Sequence, residues 1–461
     1  MRLTLPAIGQ SYRHTDLPLS AQVTKNWVPE INTETSRVVT LQPFPGARLF
    51  SVGSGKDRGA TEWDSTLYMV AGTTLYSVDA NGVRTSIGSI NGAGRCTFPA
   101  SQEYLVIVTS GLAYLYDGST LTEISDVDLE APDYGAYLNN QWIYQGTGGR
   151  FAVSDAGQPD QINALNYATA ESDGDLLQRP YTYQQLVYMF GSKTIEPWYN
   201  SGEGNPPFNR VEGGIIQKGT LSPDAISHND NYMYFLGDDR HIYQMLGTQE
   251  RSISTIPLVQ AFEGYTETDI AEAVGFCYSM RGQHYYQLRV GSHVWAFNES
   301  AGGWFELTVG NNEDPYPATG YIYKFGKHLF FDQGNILELD PAYGLFNGLP
   351  MIRERITSLI TGAVFGDAGD GKYVFMREAE ILIKGVPPLG DAPQIMLSWS
   401  DDAGYTWSNE RIIECGQTGN YTFRARAHNL GRFRERVFKI RISDESSYSI
   451  HKMIGDMRLG T

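Results

Sequence analysis

One short pattern recurs along the chain and limits its possible folds more than any other feature. An apolar strand of alternating character is followed by a tight turn, then by a second strand ending in an aromatic residue. It occurs in LYMVAGTTLYSVDANGVRTSIG, YLVIVTSGLAYLYDGSTLTEI, YLNNQWIYQGTGGRFAVSD, QLVYMFGSKTIEPWY, NYMYFLGDDRHIYQML, HYYQLRVGSHVWAFNESAGGWFEL and YIYKFGKHLFFDQGNILELD. Asn81-Gly82, Ser110-Gly111 and Asp117-Gly118 supply hairpin-turn residues. The seven units fall between residues 47 and 340, at a spacing of roughly 30–50 residues that matches a propeller blade. One unit cannot bury both faces of its own sheet, so neighbours must stack. The sequence therefore predicts an all-β chain with a β-propeller over residues 46–344. It has seven blades, or six if the first or last pair completes another blade. An irregular pair of β-sandwiches is the competing arrangement.

The remaining segments are less regular. Residues 1–45 carry Pro6, Pro18, Pro29, Pro43 and Pro45 without helical periodicity, and read as an extended N-terminal arm packed on something larger. Thr266 and Asp269 form a helix-capping signature over 266–274, a short connector between blades five and six. The stretch 349–365 fits either a helix begun at Pro350 or a strand. Composition changes after Pro387-Pro388, and 395–459 reads as successive antiparallel strands, preceded by strand-like residues 373–385. Residues 345–461 are assigned to a smaller C-terminal β-sandwich-like domain.

Composition narrows the function classes. Hydrophobic residues make up 41% of the 461, enough for a sizeable core, and 29 Tyr with 50 Gly suit many short strands joined by tight turns. The formal charge of −17 disfavours an ordinary nucleic-acid binder, which neutralises phosphates with Lys and Arg, and equally an anionic membrane surface. Cys96, Cys277 and Cys415 are far apart and odd in number, so they read as buried thiols of a reducing compartment. The N-terminus has no secretory h-region, and no apolar run approaches a membrane span. Synthesis and folding in a cytoplasm are expected.

SDDAGYTW at 400–407 fits S-x-D-x-G-x-T-W, and resembles the Asp-box of sialidases and other propeller glycosidases. Each role in it is structural. Ser400 closes a strand, and Asp402 accepts hydrogen bonds from following amides. Gly404 supplies a positive φ. Thr406 and Trp407 begin the next strand, with Trp407 as an apolar plug. A sialidase needs several such boxes within its propeller and an arginine cluster, whereas one box lies here, outside the propeller. The Gly55-Lys56 stretch fails as a phosphate loop because Phe50 and Asp57 stand where Gly and Ser or Thr are needed. The eight His have no zinc spacing, and no nucleophile elbow occurs. No catalytic, cofactor-binding or metal-ligating residue is nominated, and no cofactor.

One stretch opposes the global charge. Residues 421–442 hold Arg424, Arg426, Arg432, Arg434, Arg436, Lys439 and Arg441 against the single acid Glu435. Alternation puts Arg424 with Arg426, and Lys439 with Arg441, on one face of their strands. This reads as a solvated face paired with the chain's own acids, as an interface for an acidic partner such as another subunit, or as a DNA contact.

Several weak motifs, in order, give the chain a family likeness. They are PFPG at 43–46, G-x-G-R at 92–95, FGS-x-TIE at 190–196, QKG at 217–219, TDIAEAV at 268–274, HVWAFN at 293–298 and L-G-R-x-R-x-R-V-F at 430–438. The chain resembles the packaged-DNA stabilisation proteins of short-tailed bacteriophages, also called tail hub or nozzle proteins. The resemblance implies a virion tail component without enzymatic activity, made in the host bacterial cytoplasm. It implies a homo-oligomeric ring, usually a hexamer, below the portal and its adaptor. Such a ring continues the channel for passing double-stranded DNA, helps retain the genome, and anchors tailspikes or fibres and a needle or plug. Net acidity suits a channel lining that does not trap DNA. The rival reading is a propeller glycoside hydrolase or carbohydrate-binding tail protein acting on host surface polysaccharide.

Overall fold

The computed structural model describes residues 1–8, 23–32, 37–170, 174–386, 394–415, 422–445 and 447–460. Parts of the expected arm (9–22 and 33–36) and the Pro387-Pro388 boundary lie outside the described residues.

Each recurring hairpin unit forms the middle of an antiparallel sheet. Blade one comprises Asp57–Trp63, Thr66–Ala71, Thr74–Val78 and Arg84–Ser89. Blade two holds Leu105–Thr109, Leu112–Tyr116 and Leu121–Glu123, and its innermost edge is reduced to the bridges Thr97 to Val108 and Ala100 to Leu105. Blade three runs from Gly135–Leu138 to Gln158–Thr169, blade four from Leu177–Tyr183 to Phe208–Arg210, and blade five from Ser227–His228 to Gln249–Ser252. Blade six runs from Val274–Met280 to Gly303–Glu306. Blade seven takes Gly320–Lys324, Lys327–Asp332 and Asn335–Asp340, and borrows its outermost strand, Gly46–Ser51, from before blade one.

Seven apolar clusters join these seven sheets in a closed circle. Val70 of blade one packs with Ile107 of blade two, Val108 of blade two with Trp142 of blade three, and Val153 of blade three with Met189 of blade four. Phe190 then meets Phe235 of blade five, Leu236 meets Leu288 of blade six, Phe276 meets Phe330 of blade seven, and Phe331 returns to Met69 of blade one. The innermost strands of all seven line one axial cavity of about 500 Å³. The alternation predicted this: each inner strand turns apolar residues to both neighbours, and closure buries them without a free edge.

Several family-like motifs prove to be points of close backbone approach. A Cβ on Gly46 would come within 2.2 Å of the Leu345 carbonyl oxygen, beside the seam where the wheel closes. A Cβ on Gly219 would lie 2.2 Å from the Lys193 nitrogen. In the G-x-G-R stretch, Gly94 O accepts from Arg58 Nε at 2.7 Å, and Arg95 Nη2 donates to Thr319 O of the loop entering blade seven at 3.1 Å.

Between blades five and six stand two helices. Glu267–Ala271 has the expected capping box between Thr266 and Asp269. Ile256–Glu263 precedes it and buries Leu258 and Phe262; its start is marked in sequence only by Thr255 and Pro257. The ambiguous stretch 349–365 is extended, with strands at Leu349–Pro350, Arg353–Ile356 and Ile360–Thr361 before a single 3₁₀ turn.

The C-terminal residues form a two-sheet sandwich. One sheet runs Trp27–Asn32, Arg37–Pro43, Ser447–Leu459, Val374–Val386 and Thr422–His428, with Arg2–Leu5 on its long C-terminal strand. The other contains Arg353–Ile356, Glu435–Ile442, Gln394–Ser400 and Arg411–Glu414. Ile381, Ile383, Leu397, Phe438, Ile440 and Met453 fill the space between them. N-terminal strands thus serve the C-terminal sandwich.

The strand Val23–Lys25 joins wheel and sandwich. It pairs parallel to blade six, Lys25 opposite Glu306, and antiparallel to the sandwich, Val23 opposite Ile356. Ten strands therefore form one continuous sheet across both parts. Asn26 follows at φ +54° and fully buried. Its Nδ2 donates to Thr308 O at 2.9 Å and Ile352 O at 2.8 Å, while its Oδ1 accepts from Thr308 N at 3.0 Å.

Candidate interaction surfaces

The seven basic residues expected to form one surface divide into four environments. Arg424 and Arg426 alternate with buried Ala425 and Ala427, so their side chains share the outer face, as the period of two requires. Both reach Glu380 on the neighbouring strand, Arg424 Nη1 at 3.4 Å and Arg426 Nε at 2.9 Å. Arg2 joins them, 2.9 Å from the same carboxylate. Three guanidiniums hold Glu380 ionised despite its burial.

Arg432 and Arg434 stand exposed and stack on one ring, 4.9 and 4.5 Å from the centroid of Tyr373. Lys439 and Arg441 are half-buried beside the junction with the wheel. Lys439 lies 4.1 Å over Trp407, and Arg441 Nη2 is 3.3 Å from Glu313, which also pairs with Lys25 at 2.5 Å.

Arg436 leaves the surface set altogether. It is 1% exposed, chelates Asp401 through Nε and Nη2 at 2.6 and 2.7 Å, and donates to Leu430 O at 2.6 Å. Phe433 lies 4.3 Å beneath its guanidinium. Arg432 and Arg434 precede the strand Glu435–Ile442, whereas Arg436 lies within it and shares the face of Phe438, Ile440 and Ile442, which fill the sandwich core.

The Asp-box folds as a hydrogen-bonded turn. Ser400 Oγ donates to Asp402 Oδ1 at 2.5 Å and accepts from Gly404 N at 2.8 Å. Asp402 accepts from Thr406 N at 2.8 Å and Thr406 Oγ1 at 2.5 Å. These donors depress the Asp402 pKa to about 2. Gly404 has φ +105°, and Ala403 before it is also at positive φ, +57°. Thr406 and Trp407 belong to the turn itself, and the next strand begins at Arg411. Trp407 packs against Val23, Ile356 and Val437, so the box braces the junction strand and not only its own hairpin.

The wheel's axis offers the other concave surface. Above the axial cavity a wider mouth of about 1140 Å³ is lined by Asp57, Asp133, Asp224, Glu272 and Asp332 with Lys56, Arg95 and Arg289. Burial raises the Asp57 pKa to about 6, although Gly334 N donates to it at 2.7 Å. Among the described residues no group of three or more His, Cys, Asp or Glu is placed to hold a metal ion, and no helix is long and apolar enough to cross a membrane. Sequence reasoning did not single out Asp57 for its burial; its place at the start of an inner strand was the available signal.

Two family models match the sequence in the same order as the two parts of the fold. Residues 1–343 match the β-propeller of bacteriophage P22 Gp10, and residues 368–454 match its β-sandwich. The chain belongs to the P22 Gp10 family. It is therefore a structural component of a phage tail, and this Gp10-type propeller and sandwich carry the family likeness across nearly the whole length. No curated protein matches the Gp10-type sequence. Solved structures similar to it include the Neurospora crassa Pan2 WD40 domain (TM-score 0.43, 8% identity, covering 62% of this chain and 89% of that one). BamB from Moraxella catarrhalis is another (TM-score 0.37, 9% identity, 74% and 97% covered).

Proposed function

We propose that this chain is the hub, or nozzle, of a short phage tail. Copies form a ring, six in number by the family likeness, below the portal and its adaptor. The ring extends the path of the double-stranded DNA, helps retain the packaged genome, and gives tailspikes or fibres and a needle or plug their attachment. The chain works through its surfaces and catalyses no reaction. Residues 46–344 supply the wheel and 345–461 the attachment domain, after synthesis in the host cytoplasm.

One observation carries this reading beyond family membership. The ten-stranded sheet through Val23–Lys25 joins wheel and sandwich into one hydrogen-bonded body. A part that must resist the outward load of packaged DNA needs this, because hydrogen-bonded strands across the joint remove the hinge a linker would leave. Exposed Arg432 and Arg434 give that body a basic face on a molecule of net charge −17, which suits docking on an acidic neighbour.

Negative-stain electron microscopy of the purified chain, alone and mixed with the portal–adaptor assembly, tests it. Rings stacked coaxially on the adaptor are expected. Monomers that neither close into rings nor bind the adaptor would reject the assignment.

A further inference from the structure

The sandwich carries a basic groove with few acids to neutralise it. A cavity of about 750 Å³ is lined by Arg377, Arg432 and Arg458 with Phe375, Met457 and the acid Asp456. Asp456 is engaged by Arg377 at 2.5 Å and by the Met1 amino group at 3.3 Å. Among the described residues no ion pair engages Arg432 or Arg458. Both guanidiniums are held by rings, Arg458 5.1 Å over Phe375 and Arg432 over Tyr373. A guanidinium fixed this way loses little freedom on meeting a carboxylate.

On the wheel, the loop from Glu123 of blade two to Gly135 of blade three forms an acidic knob. Val127 at its tip is 96% exposed, between Asp126 and Asp128. The knob is rigid. Asp126 accepts from Asp128 N at 2.8 Å and from Ile162 N at 3.1 Å, and Glu130 accepts from Thr147 N at 2.8 Å. Val127 is thus an exposed apolar side chain on a pinned acidic turn.

Groove and knob belong to distant parts of the fold. The sandwich continues blade six, and the knob lies between blades two and three, three blades away round a wheel of seven. They therefore cannot meet within one chain, but they can meet between copies, head to tail. Such a contact joins two different patches, and repeating it around an axis generates a ring.

We propose that the Asp126-Val127-Asp128 knob of one copy docks in the Arg377/Arg432/Arg458 groove of a second copy, with Val127 against Phe375 and Asp128 facing the unpaired guanidiniums. This deepens the hub reading above and rests on it.

The test uses the full chain and charge exchange, read by analytical ultracentrifugation and mass photometry. R432E/R458E reverses the groove, and V127R/D128K reverses the knob while leaving Asp126 to pin the loop. Each variant should keep the wild-type melting temperature and self-associate at least about tenfold more weakly, since each like-charge pair replaces an attractive one. The chain carrying all four substitutions should recover assembly. If wild type forms rings and either variant forms them equally well, the ring reading stands and this contact falls. Loss in both variants without recovery in the fourfold chain also overturns it, as does assembly-neutral loss of binding to a short duplex DNA probe in R432E/R458E, which would make the groove a phosphate reader. A wild type that remains monomeric both alone and with the portal–adaptor assembly removes the hub reading itself; where rings form only on that assembly, the same variants are compared there.

Discussion

Arg436 and Asp401 form a two-point ion pair, 2.6 and 2.7 Å long, in which the arginine is almost fully buried while the aspartate side chain is 44% exposed. The asymmetry sets the expected mutational pattern. Asp401→Ala leaves a buried cation with Leu430 O as its remaining hydrogen-bond partner, at a cost of about 2–4 kcal/mol. Arg436→Glu places a second carboxylate beside Asp401 within the core and should yield no soluble folded protein. Arg432→Glu with Arg434→Glu, both exposed, should shift stability by no more than about 0.5 kcal/mol. Urea unfolding followed by tryptophan fluorescence separates the first from the third, and soluble yield reads the second.

The same residues show what the sequence could and could not carry. Alternating apolar strands and Gly-bearing turns recur because every blade needs them, so the wheel was legible from local pattern alone. Arg436 was not, because a run of like charges reads as surface until strand parity and a distant partner are known, and Asp401 lies across a neighbouring strand. Nor was the weave of N-terminal strands into the C-terminal sandwich: Arg2–Leu5 pairs with Met453 to Asp456 at the far end of the chain, and pairing at that separation leaves no local periodicity. Asp402 was legible because its partners lie within four residues.

Asp402 should make acid stability depend on its turn. Its folded pKa is lowered to about 2 by the Ser400 and Thr406 donors, below the ordinary aspartate value. A depressed carboxyl stabilises the fold above its unfolded pKa, and that contribution drains away as pH falls through the folded value. Asp402→Asn should thus melt lower than wild type at pH 6, with the gap closing between about pH 4 and pH 2. Calorimetry across that range checks it; a gap independent of pH would assign the loss to shape and not to charge.

Asp57 should behave with the opposite sign. Burial raises its pKa to about 6, so its ionised form opposes folding at neutral pH. The penalty is complete above the folded pKa and is relieved as pH falls toward the unfolded value near 4. Asp57→Asn retains an acceptor for Gly334 N without the charge. It should raise the melting temperature by a few degrees at pH 7.5 and change little at pH 4.

Gly46→Ala tests closure of the wheel. The added Cβ would fall 2.2 and 2.4 Å from the backbone oxygens of Leu345 and Tyr343, and the Gly46 amide donates to that Tyr343 oxygen at 2.8 Å. No side-chain rotation relieves a clash with backbone, so the strand must move, and it is the strand that completes blade seven. A loss of roughly 2 kcal/mol or more is expected, with hydrogen exchange quickening first in Gly46–Ser51 and Asn335–Asp340.

Asn26→Ala tests whether wheel and sandwich are one body. The substitution removes both donors and the acceptor that tie Thr308 and Ile352 to the junction, leaving the Thr308 amide and two carbonyls buried without this partner. It also puts alanine at φ +54°, where the asparagine side chain had offset the strain. About 3 kcal/mol should be lost. Because the damage lies on the shared sheet, the wild-type unfolding transition should split in two, with the sandwich melting below the wheel. Limited proteolysis should then digest the sandwich strands on both sides of the wheel and leave a resistant propeller fragment close to residues 46–344. A single cooperative transition in the variant would mean that Lys25, Glu306 and Glu313 suffice to hold the joint closed.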